Sequence, residues 1–416
     1  MDVRRMEILA VMFMLIPLYI VAITSSDTFE NQMETAAVSN LRARVYGTLS
    51  LLDGYRTMVD GGMMTEAEAL GWISRVLCGP EGDAEEGIKI GERGYMTVWD
   101  YSGRTLISPA RAEENREENP DLYEAIAARS EGLYRYTTRS TPAEEKIVYF
   151  SRYDPWELIV GATVYAEEYR PPSLPVSVFM LIAIAAITVV LLYTVFGAFS
   201  RKRMLSIIIT IVLVIVLLST ATALSSSEFY EWRESALKEE VESKARFGLA
   251  ICYSFKTMVD RGMMTRDEAI SRIGDIICGP RVDGGRNITK GFLTGDEGYT
   301  DIFDEDGKYL VHPFNEGRNI KDIDPERYEL IIRDREGLVL YTLQGPGDPQ
   351  PREKIGAFVF FEPWRLFILS TAYVDEYMQP MMTMRNYMAS TIALVAFASF
   401  FSIFLSNELR KAKGNG

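Results

Sequence analysis

Apolar and polar positions alternate between two regimes along this chain. Four stretches carry no charged residue: Ile8–Ser26 (19 residues), Pro171–Ser200 (30), Met204–Ser227 (24) and Asn386–Asn407 (22). A helix needs about 20 apolar residues to cross a bilayer. The pattern therefore predicts four spans, at 7–26, 171–200, 204–227 and 386–407, around two polar regions, 27–170 and 228–385. Within each polar region apolar residues first recur at helical spacing. Phe29, Met33, Ala37, Leu41, Val45, Leu49 and Leu52 mark the first, and Phe229, Trp232, Ala236, Val241, Ala245 and Leu249 the second. A long helix is expected to leave the membrane and continue into each domain. Thr65 and Thr265, each with a glutamate three residues on (Glu68, Glu268), predict capping boxes that open a second helix.

The period then shortens to two. Tyr299–Phe303 alternates, Asp304-Glu-Asp-Gly307 turns, and Lys308–His312 returns, which predicts a hairpin. Ile355–Phe361 and Leu366–Ala372 predict a further strand pair around Glu362-Pro363-Trp364. Helices followed by antiparallel strands indicate an α+β domain.

The two regions repeat one another. Tyr55-Arg-Thr-Met-Val-Asp-Gly-Gly-Met-Met-Thr65 returns as Phe255-Lys-Thr-Met-Val-Asp-Arg-Gly-Met-Met-Thr265, and 14 of 26 positions are identical over 55–80 against 255–280. Gly94-Tyr95 answers Gly298-Tyr299, while Lys146, Pro155-Trp156 and Tyr165 answer Lys354, Pro363-Trp364 and Tyr373. The duplicated unit is span, domain, span.

Charge orients it. Basic residues near short loops stay cytoplasmic, and Arg4-Arg5, Arg201-Lys-Arg203 and Arg410-Lys411 with Lys413 agree on one topology. Both termini are expected inside and both large domains outside, in the cell membrane. The outer regions are acidic, with 26 acidic against 15 basic residues in 27–170 and 29 against 21 in 228–385. The spans hold no ionisable residue apart from Glu7 at one edge, which reads as four anchors rather than a transport path.

The second region carries a familiar series: Gly298-Tyr299, an Asp-Gly hairpin ending in His312-Pro313, Glu316-Gly-Arg-Asn319, Lys354, Glu362-Pro-Trp364 and Ala372-Tyr-Val-Asp-Glu-Tyr377. This resembles the single Cache domain, a PAS-like extracellular sensor module of chemoreceptors and sensor histidine kinases. The first region resembles it less closely, with Ser108-Pro109 in place of His-Pro. The resemblance implies two tandem Cache/PAS-like domains, 27–170 and 228–385, with a pocket between sheet and covering loops that takes small carboxylates or amino acids. Only Glu408–Gly416 follows the last span, so output is expected to pass through a membrane or cytoplasmic partner such as a kinase or chemoreceptor.

Lys354 is a candidate cation for a ligand carboxylate, Arg318 a second, and Tyr299, His312 and Tyr373 candidate hydrogen-bonding groups. Tyr95, Lys146 and Tyr165 form a weaker counterpart in the first copy. With one histidine in the chain, and without a phosphate-binding glycine loop or nucleophile elbow, neither an enzyme nor a metal or cofactor site is expected. Three cysteines argue against a closed disulfide framework. The resemblance implies a membrane-anchored extracytoplasmic sensor; the alternative is an accessory subunit whose outer domains bind a protein or envelope component. Joined by the short Arg201–Arg203 turn, the two long helices are expected to pack side by side as an intrachain pseudo-dimer.

Overall fold

The computed structural model describes residues 38–79, 88–109, 120–138, 143–169, 230–345 and 348–378, apart from positions 39, 89, 92, 232 and 233, with isolated helical positions between 382 and 393. The four expected spans lie outside these residues, save those few positions of the last. Among the described residues no helix is long and apolar enough to cross a membrane.

In the first copy a long helix α1 (40–60) leads into α2 (Glu66–Cys78). Strands β1 (Tyr95–Asp100) and β2 (Thr105–Ile107), helix α3 (Pro120–Ala127), and strands β3 (Glu131–Thr137), β4 (Glu145–Tyr153) and β5 (Leu158–Tyr165) follow. The second copy repeats this with α4 (234–260), α5 (Arg266–Ile277), a small hairpin β6–β7 (Arg281–Val282, Gly285–Arg286), β8 (Tyr299–Asp304) and β9 (Tyr309–Val311). It closes with α6 (Pro325–Asp334), β10 (Gly337–Leu343), β11 (Arg352–Phe361) and β12 (Leu366–Tyr373). Both capping boxes form: each threonine hydroxyl accepts from the glutamate backbone N–H, and each glutamate side chain takes the threonine N–H.

The two sheets share one antiparallel order, β2-β1-β5-β4-β3 and β9-β8-β12-β11-β10. Both carry a register shift at the same place, between Val98 and Trp99 and between Ile302 and Phe303. The β8–β9 turn needs glycine, because Gly307 has φ +87° and its N–H bonds the Asp304 carbonyl at 2.9 Å.

Alternation gives each sheet two faces. The inner faces meet the helices: Met96, Val98, Val160 and Ala162 with Leu41 and Val45, and Ile302, Ile355, Ile368 and Ala372 with Val241 and Ile251. These groups form one continuous core across both copies. Apolar burial is worth about 25 cal/mol per Å², so a shared core of this kind holds the copies together.

Several contacts join the first long helix to the second copy directly. Tyr55 and Phe255, which are repeat equivalents, lie 6.0 Å apart between ring centroids, and the Tyr55 hydroxyl bonds Ser254. Arg44 donates to Ser243 Oγ at 3.0 Å and Ser50 to the Lys290 carbonyl at 2.8 Å. Gly47 lets the Phe292 ring, itself stacked on Phe247 at 4.4 Å, approach so closely that a Cβ at 47 would lie 2.5 Å from it. The cysteines Cys78, Cys252 and Cys278 are free and buried. Trp364 packs on Phe361, with centroids 5.4 Å apart.

Candidate functional site

The outer face of the second sheet carries a second apolar cluster, formed by Phe303, Tyr309, Val339, Phe358, Phe367 and Leu369 beneath Ile331 of α6. At one end of it the residues turn polar. Alternation along β8 places Asp301 on the same face as Tyr299 and Phe303; on β11 it places Lys354 with Phe358, and on β12 it places Thr371 with Tyr373. Tyr341 pairs across from Lys354, and Lys354 across from Tyr373. Helix α6 adds Arg327, one turn before Ile331 on its buried side.

Three charged groups are thus enclosed together. Lys354 is 0% exposed, and its Nζ makes no hydrogen bond. It lies over the rings of Tyr299 (4.1 Å) and Tyr373 (4.2 Å). Asp301 is 2% exposed with Oδ1 unpartnered. Arg327 is buried over the Tyr341 ring at 4.1 Å; its Nε, 3.4 Å from an Asp324 oxygen, has no hydrogen bond. Burial pushes Lys354 down to about 8, with Asp301 resisting. Burial likewise pushes Asp301 up to about 7, although Arg327 and Lys354 both favour its anion.

His312 is held by its own turn. Its Nδ1 accepts the backbone N–H groups of Phe314 and Asn315, both at 3.0 Å, which leaves the ring proton on Nε2. Burial, then Lys354 and Arg327, push it down to about 3, so the ring is neutral at physiological pH. It meets Tyr299 and Tyr309 at centroid distances of 5.3 and 4.5 Å.

Of the five residues expected from the sequence, Tyr299, His312, Lys354 and Tyr373 are brought together. The Tyr373 hydroxyl, however, donates outward to Asp348 at 3.3 Å while its ring meets Lys354. Arg318 is not in the cluster. Its side chain is exposed and reaches Asn315 at 3.5 Å, and its backbone carbonyl accepts from the Tyr309 N–H at 2.9 Å. The Gly-Arg-Asn segment pins β9 rather than lining the cluster. Asp301, Arg327, Tyr309 and Tyr341 were missed by sequence reasoning. Asp301 stands two residues from Tyr299 in an alternating strand, a signal that was available. Arg327 is masked by the polar stripe of an amphipathic helix.

The first copy builds the same frame and keeps the lysine, but without the other two charges. Lys146 Nζ donates to Tyr95 at 3.0 Å and lies 4.9 Å from the Tyr165 ring centroid. Thr97 stands where Asp301 does, Leu122 two residues into α3 where Arg327 stands in α6, and Ser108 in the place of His312.

Comparison with known families agrees with this frame. Residues 234–386 match the family model for single Cache domain 2, and residues 83–176 match that for the Cache 3/Cache 2 fusion domain. The chain carries two Cache regions. These families are ligand-binding sensor modules, not catalytic ones. Among solved structures, one described as the basis for carboxylic acid recognition by a Cache chemosensory domain is 24% identical, with 35% of this chain and 98% of that one covered and a TM-score of 0.29. A periplasmic sensor domain of a chemotaxis protein is 21% identical, with coverage of 34% and 97% and a TM-score of 0.28. A methyl-accepting chemotaxis protein from Vibrio parahaemolyticus is 17% identical, with coverage of 38% and 98% and a TM-score of 0.27. A search of curated proteins returns no match.

Proposed function

We propose that the chain is a membrane-anchored extracytoplasmic receptor whose second Cache region binds a small carboxylate, amino acids included. One observation carries this reading: Lys354 Nζ and Asp301 Oδ1 are buried on one sheet face without hydrogen-bond partners, beside the Arg327 guanidinium of α6, which pairs with Asp324 while its Nε makes no hydrogen bond. Unpaired buried charge is costly, so such a group is retained where a ligand supplies the missing partner. A carboxylate answers Lys354 and Arg327, and the ammonium of an amino acid answers Asp301. Four spans with both termini cytoplasmic, at the cell membrane, complete the proposal, with output passing to a signalling partner such as a kinase or chemoreceptor.

The test uses the full chain in lipid nanodiscs, screened calorimetrically and by thermal shift against small mono- and dicarboxylates and amino acids. A ligand at a hundred times its Kd raises stability by about 2.7 kcal/mol. Binding should fall about 10- to 100-fold in Lys354→Met, the range expected when one charge-assisted bond of about 1.5–3 kcal/mol is removed. A panel without any binder, or a binder indifferent to Lys354, overturns the proposal.

A further inference from the structure

Strand β12 ends at Tyr373, inside the cluster, and the chain continues directly into a helical turn at 374–378. That turn is fastened on both sides. On the site side Arg352 lies 3.8 Å over the Tyr373 ring. The same guanidinium pairs with Glu297, with Asp375 at 2.8 Å, with Asp348 at 3.4 Å and with Glu376 at 3.6 Å. On the core side the Tyr377 hydroxyl donates to Glu240 Oε2 at 2.5 Å. Glu240 pairs with Lys244 at 2.7 Å, and Lys244 also donates to the Leu293 carbonyl. Both residues are buried, as is Arg44 of the first copy, which bonds Ser243 on the same helix. Burial opposes ionisation of Glu240, yet Lys244 and the hydrogen bonds from Lys244 and Tyr377 hold it below the ordinary carboxylate range.

The first copy builds the site-side fastener with its charges exchanged. Arg93 takes the position of Glu297, and Glu144 that of Arg352. Arg93 lies 3.7 Å over the Tyr165 ring and pairs with Glu144 at 2.7 Å, with Glu167, and with Glu168 at 3.2 Å. A guanidinium on the same ring, tied to the same two acidic positions, survives a double charge reversal. The clasp itself is therefore what both copies keep. The core-side seat is not repeated: Asn40 and Arg44 stand where Glu240 and Lys244 do.

We propose that the 374–378 turn is the lever by which the second site acts on the long helices, latched to Tyr373 by Arg352 and seated through Tyr377 on Glu240, beside Arg44 of the first copy. The Tyr373 ring is touched by two cations, Lys354 within the site and Arg352 in the latch. A ligand that engages Lys354 changes what the ring holds, and the residue that carries the ring leads directly into the lever. The output face is then asymmetric, because only the second copy pairs a carboxylate with its buried cation at the seat, where the first has Asn40 with Arg44.

The proposal rests on the site reading only in naming Lys354 as the input, and its test needs no ligand. Amide hydrogen exchange is followed on the full chain in nanodiscs, in a cycle of Lys354→Met and Tyr377→Phe. Lys354→Met should change exchange at 374–378 and at 238–246 by about 5-fold or more, the lower bound of a typical inter-site coupling. In the Tyr377→Phe background the change should persist at 374–378 and vanish at 238–246. An equal change at 238–246 with and without the Tyr377 hydroxyl, or none there in either background, overturns the lever. Asp301→Asn provides the same cycle should Lys354→Met fail to fold. A protein that shows this coupling but binds no carboxylate refutes the ligand proposal and leaves the lever standing.

Discussion

Replacing Lys354 by methionine should make the protein more stable and a worse receptor at once. The fall of the Lys354 ammonium from 10.5 to about 8 reflects burial first, and it corresponds to about 3 kcal/mol held against the charged form. The rings of Tyr299 and Tyr373 return part of this, about 1–2 kcal/mol through cation–π contact, and that part is lost with the charge. Methionine fills a similar volume and meets aromatic rings favourably, so the net gain is about 1–2 kcal/mol, or about 2–6 °C in Tm for a unit of this size. The sign with pH is fixed. Lys354 is depressed in the folded protein, so its penalty is complete below about pH 8. It fades between there and 10.5, where only the unfolded chain is still charged. Scanning calorimetry of both proteins at pH 7 and at pH 9.5 should therefore show the variant's advantage at the lower pH and its decline at the higher. A variant less stable than the parent, by an amount indifferent to pH, would mean that Lys354 is a structural residue and sink the site assignment.

Other outcomes follow from the same geometry. Gly47→Val should destabilise the protein by about 1–3 kcal/mol, because its Cβ meets the Phe292 ring that Phe247 already confines; an unchanged melting curve would place the copies apart. Arg44→Cys with Ser243→Cys, oxidised, should give a crosslink within one chain, and a purely intermolecular ladder would refute the pseudo-dimer. Burial holds the Asp301 carboxyl near 7, so the affinity for an amino acid should fall as pH drops below about 7 and the carboxylate is protonated; a flat profile from pH 8 to pH 5 argues against an ammonium contact. Cysteines introduced as Glu131→Cys and Glu336→Cys should both label from outside intact cells, with a reporter after Gly416 inside. Labelling of one site alone breaks the four-span topology.

Much of the fold was legible because its signals are local. Thr65 and Glu68 form the expected capping box. The Asp304–Gly307 turn closes the expected hairpin, and the strands around Glu362-Pro363-Trp364 fall within one to three residues of their expected ends. The site was only partly legible, for a physical reason. Lys354, Tyr299 and Tyr373, which the structure brings together, each stand in the internal repeat. Arg327 comes from a helix that begins about twenty residues after β8 in the chain, and nothing in a one-dimensional pattern says which polar residue of an amphipathic helix turns inward. Arg318 has the charge to meet an anion, but the positive φ of Gly317 (+82°) turns the segment back on β9, and the Arg318 side chain is exposed. Short motifs record backbone geometry as readily as they record binding.

The contrast between the copies has a thermodynamic logic. Each substitution that separates the first outer face from the second, Thr97 for Asp301 and Leu122 for Arg327, removes a buried charge. An unpaired buried charge is tolerated only where the surrounding fold holds stability in excess. The inner faces of both sheets share one core, so stability gained on the first copy is available to the second through their common helices. Two unfilled charged sites in such a core would double the cost of the ligand-free state. One such site leaves that cost on the second outer face alone. On this argument, Leu122→Arg with Thr97→Asp should not create a second receptor site at no cost. It should lower the stability of the whole two-copy unit, and a melting curve in which only the first copy loosens would show that the shared core does not couple them.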